Sequence, residues 1–208
     1  MSLIRSVATV GGWTMASRLL GLVRDMLIAR LLGAGMEADA FFVAFRLPNM
    51  FRRLFAEGAF NAAFVPLFAR RLEEEGPAGA RRFAEQVMAV MLTGLLALTI
   101  LAQIFMPGLV YLLAGGFHDE PAKFDLAVKF SIITFPYLLF MSLTALQGGV
   151  LNSLHRYSHA AAAPILLNVV AIAALTLVVP LTGQPALTLA WAVAVAGVCQ
   201  FLWLVIAC

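Results

Sequence analysis

The sequence predicts an all-α integral membrane protein with six transmembrane helices, on the strength of its composition and of how its apolar residues are spaced. Of its 208 residues, 62% are hydrophobic and 12% charged, whereas a soluble domain is about half apolar and a quarter charged. Apolar runs of about 20 residues, long enough to cross a bilayer as helix, recur along the whole chain. Glycine and proline turn signals separate them. No stretch remains for a soluble domain, so residues 1–208 read as a single six-helix transmembrane unit.

The first helix is expected over residues 6–32, closed by the turn at Leu32, Gly33, Ala34 and Gly35. The second, over 37–70, would be roughly 50 Å long at 1.5 Å per residue, with kinks at Pro48 and Pro66. Glu73, Glu74, Glu75, Gly76 and Pro77 then read as a solvated loop. The third helix covers 85–113 and ends at Gly115 and Gly116; the fourth covers 124–154, with Pro136 near its middle. The fifth runs over 160–181 and the sixth over 186–208, where the chain stops inside an apolar run. That ending reads as a fragment of a longer chain.

Arg5 followed by apolar residues superficially resembles a secretory signal. The run continues past Arg18 and Arg24, too long and too charged for a cleaved core. Loop charge sets the orientation, because lysine and arginine accumulate on the cytoplasmic side. Arg5, Arg70, Arg71, Arg81, Arg82 and Arg156 share one side, while Lys123 on the other is offset by Asp119 and Glu120. The amino terminus is therefore expected in the cytoplasm, the chain being multi-pass in a plasma membrane.

The formal net charge of +3 is small and gives no nucleic-acid reading. Cys199 and Cys208 lie nine positions apart on one helix, on opposite sides at about 100° per residue, so no bridge between them is expected. His118, His155 and His159 have no metal-ligand spacing, and neither a metal nor another cofactor is expected.

The informative residues are charges at membrane depth. Half of the 14 basic residues lie at or before Arg53; Arg18, Arg24, Arg46, Arg52 and Arg53 fall within the two opening helices, where insertion costs about 3 kcal/mol each. If these helices fold back antiparallel, Arg18 lies level with residues 50–52 and Arg24 with 44–46. The available acids are Asp25, Asp39 and Glu57, with Asp39 opposite Arg30 near the outer interface and Glu57 toward the cytoplasmic end. An excess of positive charge remains at mid-depth. Snorkelling or pairing accounts for Arg30, Arg53, Arg70 and Arg71. For Arg18, Arg24 and Arg52 a water-filled cavity that admits an anion is the economical solution, since a guanidinium offers a planar fork of donors to phosphate or carboxylate.

Three stretches carry a resemblance: SRLLGLVRD (17–25), GAGMEADAFFVAF (33–45) and LPNMFRRLFAEGAFNAAFVP (47–66). FPYLLFMSLTALQGGVLNSLHRY (135–157), APILLN (163–168) and LAWAVAVAGVCQ (189–200) extend it over essentially the whole chain. Together they resemble the MurJ/MviN family of lipid II flippases, within a superfamily of drug and oligosaccharide-lipid exporters. The resemblance implies fourteen helices, the first twelve forming two six-helix lobes around a central cationic cavity; this chain is similar to the amino-terminal lobe. It implies transport, without chemical catalysis, of undecaprenyl-pyrophosphate-linked disaccharide-pentapeptide to the periplasmic leaflet by alternating access. Arg18, Arg24 and Arg52 match the family's cavity arginines, Asp39 a required acid, and Glu57 a gate position that bonds across to the second lobe. A further required arginine belongs to that second lobe, which is absent here.

Other readings are a related drug or polysaccharide-lipid exporter, a membrane enzyme acting on pyrophosphate lipids, and a structural partner. The 47–66 motif argues against the first. The second lacks a metal-binding acid cluster or an activated nucleophile at membrane depth. The third predicts that the three arginines can be neutralised without loss.

Overall fold

The computed structural model describes the backbone of residues 3–56 and 59–208, and side chains at 9–50, 60 and 62–208. The described residues are helical throughout, joined by short turns. Helix α1 is Leu3–Leu32, α2 Met36–Ala56, α3 Ala59–Ile104 and α4 Met106–Leu113. After a 3-10 turn, Gly115–Asp119, come α5 Pro121–Thr134, α6 Tyr137–Ser153 and α7 Tyr157–Ala173. A π-helical turn, Ala174–Val178, leads into the short α8, Val179–Thr182, and the chain ends in α9, Pro185–Ala207.

The element boundaries follow local chemistry. Gly33 closes α1 with φ 62°, its N–H bonded back to the Ala29 carbonyl at 3.2 Å, a left-handed cap that a side chain would disfavour. Pro107, Pro121 and Pro185 sit in the first turns of α4, α5 and α9, where no intrahelical N–H is lost. The π turn directly precedes Pro180, whose ring clashes with, and withholds an N–H from, the turn before it.

Two expectations change. Glu73 to Glu75 are helical, because α3 runs through them and breaks only at Gly76, with φ 72° and ψ −173°. Arg70 with Glu74, Arg71 with Glu75 and Arg81 with Glu85 form i,i+4 ion pairs, which support helix on both sides of the break. Pro48 and Pro66 lie inside α2 and α3, and the break falls at Gly76 instead.

Among the described residues, four helical stretches are long and apolar enough to cross a membrane: Ala62–Ile104, Pro121–Ser153, Tyr157–Thr182 and Pro185–Ala207. Helices α1 and α2, which carry the buried-depth charges of the sequence, are not among them. The largest core lies where α2, α4, α5, the start of α6 and the start of α9 converge, around Phe41, Met106, Phe130, Tyr137 and Leu189. A second cluster joins Phe64 and Phe68 to Leu146. Gly197 sets a close crossing: a Cβ there would lie 2.8 Å from Tyr137 Cδ2, so α9 meets α6 through a bare backbone. Cys199 and Cys208 are both free.

Candidate functional site

Helix α1 packs along α7, and α2 packs on α5 and α6; among the described residues α1 and α2 share no extended contact. The antiparallel pairing that placed Arg18 beside residues 50–52 is therefore replaced by two helices held by different partners. Trp13, Ser17, Gly21, Arg24 and Ile28 recur every three or four residues, so they fall on one helical face. That face meets α7: Trp13 Nε1 donates to Ser158 Oγ at 3.0 Å, Ser17 and Arg24 meet Asn168, and Ile28 is buried.

Arg24 is the centre of the arrangement. Its Nε and Nη2 donate to Asp25 Oδ1 at 2.9 and 2.8 Å, and its Nη1 donates to Asn168 Oδ1 at 2.9 Å. The side chain is 23% exposed and that of Asp25 63%. Of the acids available in the opening helices, Asp25 is thus the one that neutralises Arg24. Arg18 and Arg46 are exposed and have no ion pair among the described residues.

Asp39 faces a different partner from the one expected. Lys123 Nζ lies 2.8 Å from Asp39 Oδ2 and 3.8 Å from Glu120, and sits 4.4 Å above the Phe117 ring. The pair ties the start of α2 to the start of α5, while the Asp39 side chain stays 56% exposed. Arg30 is not its neighbour in any ion pair among the described residues. The side chain of Arg52, and Glu57 altogether, lie outside the described residues.

Aromatic and polar side chains gather at both ends of the bundle. At one end His118 meets Tyr111 and Phe124 edge-on. At the other, His155 Nδ1 bonds the Tyr157 hydroxyl at 2.9 Å and Trp203 Nε1 donates to the His159 carbonyl at 3.2 Å. Tyr and Trp are the residue types enriched at membrane–water interfaces. The histidines thus belong to turns and helix ends.

A family model described as lipid II flippase MurJ matches residues 28–208. The chain belongs to the MurJ family. It is 52% identical over 204 residues to a probable lipid II flippase MurJ of Rhizobium tropici, and 54% identical over 205 residues to that of Rhizobium meliloti (strain 1021), covering 96% of this chain and 38% of each relative. The lipid II flippase MurJ of Burkholderia cenocepacia is 45% identical over 202 residues. A solved structure, lipid II flippase MurJ in an inward closed conformation, superposes with TM-score 0.78 at 30% identity over 95% of this chain and 41% of its own. The chain thus spans about two fifths of the length of these MurJ relatives.

Asn168 is the residue the functional reading of the sequence passed over, although it ends one of the matching stretches. Its signal is a single carboxamide between Leu167 and Val169 in the apolar run 160–173.

Proposed function

We propose that this chain is the amino-terminal lobe of a transporter that moves a lipid-linked peptidoglycan precursor, lipid II, from the cytoplasmic to the periplasmic leaflet of the bacterial inner membrane. The single observation that carries the reading is Arg24, a cation held by Asp25 and by Asn168 of the membrane-length stretch Tyr157–Thr182 in a member of the MurJ family. Helices α1 and α2 complete six spans, with the amino terminus cytoplasmic. The remaining three fifths of the relatives' length supplies a second lobe, and the cavity between the lobes is the path.

In this reading Arg18, Arg24 and Arg52 receive the anionic groups of the substrate, the pyrophosphate first, because planar donor forks match phosphate oxygens. An aqueous cavity spares exposed Arg18 the roughly 3 kcal/mol of facing lipid. Asp39, half exposed beside Lys123, meets the substrate toward the outer mouth. Glu57 acts as a gate residue at the cytoplasmic mouth and bonds across to the second lobe. The chain's own residues bind and release; no bond is made or broken and no cofactor takes part. Each substrate charge crossing the membrane adds about 2.3 kcal/mol per 100 mV of potential.

The test is complementation of a flippase-depleted strain by full-length protein with glutamine at Arg18, Arg24 or Arg52, membrane insertion being confirmed. Loss of growth in each variant is expected. Full rescue by all three would remove the anion clamp and leave the arginines a structural role.

A further inference from the structure

We infer that Asn168 is a positioning residue that holds the Arg24 guanidinium in the orientation that receives the substrate's anionic group. The inference rests on the anion clamp proposed above and deepens it.

A carboxamide that is only 5% exposed in a lipid-crossing helix is expensive unless both of its ends are bonded. Helix α1 supplies both partners. Asn168 Oδ1 accepts from Arg24 Nη1 at 2.9 Å, and Nδ2 donates to the Ser17 carbonyl at 2.8 Å. The amide has one workable orientation: turned over, it would set NH2 against guanidinium N–H and a carbonyl oxygen against the Ser17 carbonyl. The Ser17 bond therefore fixes which end of the amide faces Arg24.

A guanidinium has five N–H donors. Asp25 takes one from Nε and one from Nη2, and Asn168 takes one from Nη1. One N–H is left on each terminal nitrogen. With Asp25 alone the side chain keeps rotational freedom about its long stem; Asn168 adds the second fixed point, on the opposite nitrogen, that sets the plane.

The experiment titrates undecaprenyl pyrophosphate onto detergent-solubilised full-length protein and follows binding by native mass spectrometry. Wild type is compared with Arg24→Ala, Asn168→Ala, the double variant and Asn168→Asp. Folding is checked by size exclusion; if the alanine variant does not fold, the isosteric Asn168→Asp carries the test alone. We expect Asn168→Ala to weaken binding roughly tenfold and the double variant to bind no worse than Arg24→Ala, as coupled neighbours do. Asn168→Asp, which puts a negative charge against Arg24 and loses the bond to Ser17, is expected to bind more weakly still. Unchanged binding in both Asn168 variants, or additive losses in the double, overturns the inference while the clamp stands. Unchanged binding in Arg24→Ala overturns the clamp and the inference together.

Discussion

Two charged side chains of the opening helices, Arg24 and Asp39, are defined by the partners they have found. Arg24 is shared between a sequence neighbour and a residue 144 positions away, while Asp39 is held by Lys123 across from α2 to α5. The two acids can be separated by experiment. If Asp39 meets the substrate, Asp39→Asn abolishes complementation by the full-length protein, whereas Lys123→Ala, which releases only the tie between helices, retains it. Equal loss in both variants would assign Asp39 to holding α2 on α5. Glu57 is tested through access instead: Glu57→Gln is expected to shift the accessibility of single cysteines in the cavity, and an unchanged labelling pattern would end the gate assignment.

At the level of the helices, packing separates glycines that look alike in the sequence. Gly197 has Tyr137 Cδ2 2.8 Å and Phe140 Cβ 3.3 Å from where a Cβ would stand, whereas none of the described residues lies within 4 Å of that position on Gly12. Gly197→Ala should therefore destabilise the bundle by about 1–3 kcal/mol through overpacking. Gly12→Ala should be neutral or stabilising by up to about 1 kcal/mol through helix propensity. Thermal unfolding of the two purified variants checks both, and a lower midpoint for Gly12→Ala would contradict the placement. The helices themselves were legible in the sequence because lipid leaves the backbone no other way to satisfy its hydrogen bonds. The break at Gly76 was misread as a longer loop because Glu73, Glu74 and Glu75 look like solvated loop chemistry until Arg70 and Arg71 are seen one turn earlier on the same face. Arg24 was legible as a charge needing compensation. Its partner was not, since neighbouring helices in the sequence need not be neighbours in the bundle, and nothing local says that α1 lies on α7.

For the molecule as a whole, sidedness is the property most open to test. In the topology proposed above, Gly76 and His155 lie on one side of the membrane and His118 to Lys123 on the other, as the loop charges suggest. With Cys199 and Cys208 replaced, single cysteines at Ala78 and Ala122 should react with an impermeant thiol reagent from opposite faces of the membrane. Labelling of both from outside intact cells would reject the six-span arrangement. The same experiment reports on α1 and α2, because removing either span reverses the predicted side of every later loop.

The attachment of α1 to α7 also orders events in time. α1 leaves the ribosome well before its partner, since the amide that bonds Arg24 lies 144 residues downstream, about 7 to 30 s later at ordinary rates of synthesis. Throughout that interval Arg24 has only Asp25 beside it, and among the side chains described on α1 only Ile28 becomes buried in the finished bundle. α1 is therefore expected to be only loosely held during that interval, the contact that seats it closing after α2 to α6 have been made. A nascent chain stalled before Asn168 emerges should leave α1 open to crosslinking by the insertion machinery, and one stalled after α9 should not.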